Sequence, residues 1–145
     1  MDDRSGQARV IRQAGAIPYR TRARRIEILL ITNVRQTQWT VPKGTVESGQ
    51  TVEEAAALET WEEAGVSGRL EPIVIGSFAF SKQGRRHHVE LFPLLVTEVC
   101  DIWPEMSQRQ RCWTPFQEAL RRVRRRGIRL AVEVLMERLA LQRVA

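Results

Sequence analysis

From Gly44 to Val66 the chain reads GTVESGQTVEEAAALETWEEAGV, a glycine turn feeding one short helix whose Glu59, Glu62 and Glu63 fall at i, i+3 and i+4. On a helix those spacings put three side chains on one face with Cβ atoms about 5–6 Å apart, so the carboxylates can converge on one point. Like charges so placed repel unless a cation lies between them, and no Lys or Arg occurs from Gly44 through Gly68. A divalent cation fits that gap. Mg²⁺ in particular takes one or two carboxylates and leaves its other positions to water and phosphate. The alternative is a solvated acidic helix face.

The ends of the segment are marked. Thr51 followed by Glu54 is a capping-box pattern, and Gly65 stands where a glycine stops a helix. Around the wheel, Val52, Ala55 and Ala56 share the azimuth of Glu59 and Glu63, while Glu54, Ala57 and Trp61 lie opposite. An ordinary surface helix separates charge from apolar residues. This one mixes them, which predicts an acidic face partly buried against a cleft. Within it, Glu59 and Glu63 are one full turn apart and suited to share a metal, and Glu62 on the adjoining azimuth could take a proton from water.

Pro42-Lys43-Gly44, Glu47, Gly49, Ala55-Ala56, Glu59, Glu62-Glu63, Gly65 and Val66 resemble the Nudix box, G-x5-E-x7-R-E-U-x-E-E-x-G-U with U aliphatic. Trp39-Thr40-Val41-Pro42 before it, and Leu95 to Val99, Trp103 and Arg109 to Trp113 after it, resemble the branch that hydrolyses diphosphoinositol and diadenosine polyphosphates. The likeness runs from Arg12 to the C-terminal helix. It implies an α/β fold, the Nudix-type α/β/α sandwich with a mixed sheet between helices, and a Mg²⁺-dependent pyrophosphohydrolase, with Mn²⁺ as an alternative ion. It also implies Glu59, Glu63 and the main-chain carbonyl at Gly44 as metal ligands, with Glu62 as base. For the phosphates of a small polyphosphorylated substrate it implies Arg12, Arg35, Lys43, the triplet Arg85-Arg86-His87, and Arg109.

Three departures from the pattern bear on activity. Gln50 replaces the first box Glu, Leu58 the Arg, and Thr60 an aliphatic residue. The family Arg orients carboxylates through charge-assisted bonds, which Leu cannot make. The expectation is therefore weakened turnover. The competing reading is a non-catalytic module that binds a nucleotide or polyphosphate as a sensor, and the nearest enzymatic rivals are hydrolases of nucleoside triphosphates or RNA 5′ ends.

Length favours one domain over residues 1–145, with residues 1–9 as a tail. The net charge of +6 hides a contrast, because six of 17 acidic residues lie in the Gly44–Gly68 stretch and the remainder is strongly basic. Positive potential around an acidic strip raises the encounter rate of a polyanion. It would also serve nucleic acid, although the Arg121–Arg126 run has no interleaved aromatics and reads as a solvated helix face and C-terminal end. Of 23 basic residues 21 are Arg, a bias that codon usage explains as readily as phosphate binding. Cys100 and Cys112 are too few for a disulfide scaffold, and no segment has signal-peptide or membrane-spanning character, which predicts a cytoplasmic protein without a membrane partner.

Strands are predicted over Val10–Tyr19 and Ile26–Thr32 as a hairpin around a basic turn, then Trp39–Val41, Pro72–Ser81 and His88–Val99, with Ser81–Arg86 as a connection. Thr114-Pro115 signals a helix over Phe116–Val123. A last helix follows over Leu130–Leu141, with Leu130, Val134, Leu135, Met136 and Leu139 as its apolar side.

Overall fold

A strand buried on both faces belongs in the middle of a sheet, and β1 (Ile11–Arg22) is such a strand, buried without interruption from Ala14 to Pro18. The computed structural model describes residues 9–144, so the tail expected over residues 1–9 lies outside them but for Arg9. β1 pairs in parallel with β7 (Arg85–Val99) and antiparallel with β2 (Arg25–Thr32) and β4 (Lys43–Thr45). β3 (Trp39–Thr40) and β8 (Arg111–Pro115) add to β2, while β5 (Val66–Leu70) and β6 (Gly76–Lys82) add to β7. The result is one mixed, eight-stranded sheet.

Helices cover both faces. On one side α1 (Val52–Ala64) seats Ala55 and Ala56 against Ala14 and Phe92, and Ala64 packs with Leu29, Ile31 and Val66. On the other, α2 (Phe116–Arg122) and α3 (Arg126–Val144) lay Ala119, Ile128, Ala131, Val132 and Leu135 on Ile17, Ile28, Leu30, Val89 and Leu91. This is the expected α/β/α sandwich. Among the described residues no helix is long and apolar enough to cross a membrane.

Several boundaries differ from expectation. The β1–β2 and β6–β7 hairpins turn over two residues each, Ala23-Arg24 and Gln83-Gly84, all four with positive φ, so the flanking basic residues belong to strands. Such turns match the twist of the strands they join. Thr114 does not cap α2: Pro115 occupies the N-cap, and the Thr114 hydroxyl donates to the Cys112 carbonyl instead. α3 starts four residues early and buries Ile128 and Ala131, leaving Leu130 and Val134 exposed. β6 begins only at Gly76, and β5 was not foreseen, because Ser67-Gly68-Arg69 carries no apolar alternation.

The helix α1 ends as predicted, and its ends explain how the site is held. Thr51 and Glu54 form both bonds of the capping box, and Gly65 is left-handed at φ 70°. The last carbonyls of a helix have no partner within it. Here Trp61 O accepts from the Gly65 amide (3.0 Å), Glu62 O from the Glu105 amide (3.0 Å), Glu63 O from the Trp103 indole (3.1 Å) and Ala64 O from Arg111 Nη1 (3.0 Å). A Cβ at position 65 would come within 2.6 Å of the Trp103 ring and 2.7 Å of Arg111. Gly65→Ala is therefore expected to lower the unfolding free energy by at least the left-handed penalty of about 1–2 kcal/mol, read as an earlier urea midpoint; an unshifted midpoint contradicts this reading.

Candidate active site

Four residues of α1, Ala55, Ala56, Thr60 and Ala64, are buried where the helix meets the sheet, and they carry Glu63 inward with them. Thr60 tolerates an aliphatic position because its hydroxyl donates to the Ala56 carbonyl at 2.7 Å. Glu63 is only 7% exposed. Its Oε1 accepts from the Lys43 amide at 3.2 Å, and its Oε2 lies 3.5 Å from Arg109 Nη2. Glu59 rests directly on Gly44, where a Cβ would come within 2.2 Å of the carboxyl carbon. Only glycine leaves that space.

Charge is concentrated at this point. Burial raises the Glu63 carboxyl from 4.5 to about 8, with Glu59 and Glu105 pushing in the same direction against Arg109 and the Lys43 amide. Glu59 is raised by burial and then by the Glu62 charge, while a hydrogen bond with Glu63 holds it down. Glu59 and Glu63 thus form a coupled pair beside two further carboxylates, Glu62 and Glu105. Burial also lowers the Lys43 ammonium.

The donor set suits a hard cation that keeps water. Among the described residues no three His, Cys, Asp or Glu side chains form a group able to hold a metal, so the expected three-carboxylate convergence is a pair with Glu62 alongside. One or two carboxylates are what Mg²⁺ takes from a protein. The raised proton affinity of the pair comes first from burial, with the neighbouring carboxylates adding to it.

Glu63 opens onto a cavity of about 580 Å³ lined also by Arg35, Lys43, Lys82, Arg109 and Arg125, with Val34 and Trp39 as an apolar corner. A second cavity of about 300 Å³, lined by Arg85, His87 and Phe80, shares Gln13, Lys43 and Lys82 with the first. The chain's two lysines therefore stand where the cavities meet. Lys43 Nζ lies over the Phe80 ring at 4.7 Å, and Arg125 over Phe78 at 4.7 Å.

Of the residues expected to bind phosphate, Arg35, Lys43, Arg85, His87 and Arg109 line these cavities, and Arg12 and Arg86 do not. Strand alternation is the reason. Gln13 faces the cavities, so Arg12 points to the other side of β1 and pairs with Glu90 at 3.2 Å. Arg86 is turned away between Arg85 and His87 in the same manner. His87 is buried, its ring stacked on Phe80 at 4.7 Å. Sequence reading missed Lys82, Arg125 and Glu105. Arg125 was hidden in the Arg121–Arg126 run, which is not one helix face: α2 ends at Arg122, α3 starts at Arg126, and the connector turns Arg125 inward. Of the other two box departures, Gln50 closes a local turn by accepting from the Glu47 amide at 2.8 Å, and Leu58 is 42% exposed.

The NUDIX domain family matches residues 10–132. The chain belongs to the Nudix hydrolase family. Its reaction is the hydrolysis of phosphorus-containing anhydrides. Nudix hydrolase 17, mitochondrial, of Arabidopsis thaliana is 37% identical over 135 residues, 87% of this chain and 74% of that protein. Diphosphoinositol polyphosphate phosphohydrolase 2 of Rattus norvegicus is 36% identical over 98 residues, and the match spans 66% of this chain and 53% of that one. In fold, a C. elegans Ap4A hydrolase in a binary complex superposes with a TM-score of 0.76 at 23% identity, covering 90% of this chain and 98% of the other.

In the metal-free Nudix chain the raised Glu63 carboxyl has a definite sign. The native state binds an extra proton between pH 4.5 and about 8, so the stability this group contributes is full below pH 4.5 and is lost as pH rises through about 8. The melting temperature of the protein in EDTA, compared with that of Glu63→Gln, should fall across this window. A pH-independent difference between the two would contradict the assignment.

Proposed function

We propose that this Nudix chain hydrolyses a phosphoanhydride bond of a small polyphosphorylated molecule with the help of Mg²⁺, a diadenosine or diphosphoinositol polyphosphate being the substrate class. The observation that carries this reading is one cavity with the carboxylate of Glu63 on one wall and Arg35, Lys43, Lys82 and Arg125 around it. A chain of phosphates needs such a channel of cations, and its cleavage needs an ion at the reacting end.

Glu59 and Glu63, with the carbonyl of Gly44, would hold the ion; when bound, it neutralises charge on non-bridging oxygens and lowers the pKa of water. Glu62, half-buried beside Glu59, takes the proton of the attacking water. Lys43 and Lys82 bind phosphates at the junction of the two cavities, Arg35 and Arg125 extend the first, and Arg85 with His87 extends the second. Of the two substrate classes, a nucleoside polyphosphate is favoured by the apolar corner of Val34 and Trp39, since a cyclitol bearing oxygen at every carbon has no flat apolar face to cover it.

A phosphate-release screen with Mg²⁺ over dinucleoside polyphosphates, nucleoside triphosphates and inositol pyrophosphates tests the reading. Turnover of one class is expected, while binding without turnover would make the chain a sensor. Glu62→Gln should then lower kcat by about 10²-fold, the scale of lost general-base help, with metal binding retained, whereas Glu63→Gln should weaken the metal itself. Equal loss of metal in both variants would overturn the division of roles.

A further inference from the structure

We infer that Arg109 is a positioning residue for Glu63, held from a loop outside α1, and does not bind substrate phosphate. The inference rests on the reading of Glu63 as a metal ligand. No cation lies within the Gly44–Gly68 segment, and the position on α1 where the box pattern has Arg is an exposed Leu58. The guanidinium that meets Glu63 arrives across the cleft.

All three nitrogens of that guanidinium face protein oxygens, two of them in hydrogen bonds and the third at ion-pair distance. Nε donates to Glu105 Oε1 at 2.7 Å, Nη1 to the Thr32 carbonyl at 3.0 Å, and Nη2 lies 3.5 Å from Glu63 Oε2. The side chain is only 12% exposed. A planar fork fixed along two directions has one orientation left for its third arm, and that arm ends on Glu63. The loop itself is tied to the helix it serves, through the Glu105 amide on the Glu62 carbonyl and the Trp103 indole on the Glu63 carbonyl. Glu63 thus meets a partner on each oxygen from outside its helix, an ion pair with Arg109 on one and a hydrogen bond from the Lys43 amide on the other.

The test compares Arg109→Gln, Glu105→Gln and their double variant with the wild type, using the polyphosphate that the screen finds fastest, and Mn²⁺ alone as the metal probe. Misplacing a reacting group by about 1 Å can cost about 10²-fold in rate. Arg109→Gln is therefore expected to lower kcat by about ten- to a hundredfold with KM within about threefold of wild type, the pattern of an interaction that acts on the transition state alone. The electron paramagnetic resonance spectrum of protein-bound Mn²⁺ should change shape, because Glu63 is no longer held. Glu105→Gln should change both readouts in the same direction by less, and the double variant should be no slower than Arg109→Gln. A KM raised about tenfold or more marks Arg109 as a phosphate ligand and overturns the inference. So does an unaltered Mn²⁺ spectrum or an unaltered kcat. If Arg109→Gln fails to fold, Glu105→Gln decides by the same criteria. A wild-type chain that binds no Mn²⁺ overturns the metal reading as well, whereas one that binds and turns over while the variant raises KM overturns only the role of Arg109.

Discussion

The last turn of α1 is where the architecture and the chemistry of this chain are joined. Its carbonyls at Trp61, Glu62, Glu63 and Ala64 all find donors, three of them supplied by residues 103–111. A buried carbonyl left alone costs about 1–3 kcal/mol, so this segment stabilises the helix end it covers. Arg111 adds its charge at the negative end of the helix and stacks on Trp103 at 3.8 Å. Because Glu62 and Glu63 sit in that turn, whatever fixes the carbonyls also fixes the carboxylates.

The second constraint is charge. Glu59, Glu62, Glu63 and Glu105 crowd one end of the cleft, and Arg109 is the cation paired with Glu63 there. Burial, with these neighbouring carboxylates, raises the proton affinity of Glu59 and Glu63, and a bound cation would act in the opposite direction. Elsewhere on the cavity lining the balance reverses, with Lys43, Lys82 and Arg125 contributing positive charge. In a chain where 21 of 23 basic residues are Arg, codon bias can explain an Arg but not a Lys. That both lysines line both cavities points to a requirement for a compact ammonium at those positions.

How much of this could be read in advance depended on how local each feature is. The capping box at Thr51, the stop at Gly65 and the burial of the acidic face follow from spacing within one helix, and all three hold in the structure. The mixed sheet between helices followed from the resemblance and the order of elements. Arg12 and Arg86 were misplaced because a strand residue's side is set by alternation relative to its neighbours, and a basic residue beside the right position is on the wrong face. Arg125 escaped because an unbroken Arg run conceals the helix break within it. Arg109 was expected at the site as a phosphate ligand, but its place against Glu63 is not local: it lies 46 positions from Glu63 in the chain, and the pairing of β8 with β2 brings the loop back over the Thr32 carbonyl and the cleft.

The central claim is that Glu59 and Glu63 together hold a divalent ion at the mouth of a cation-lined channel. Crystals soaked in Mn²⁺ and measured at a wavelength where manganese scatters anomalously test it directly. An anomalous peak shared by the carboxylates of Glu59 and Glu63 beside Gly44, lost in Glu63→Gln, is expected. A peak elsewhere, or none at Mn²⁺ concentrations that support turnover, would contradict it.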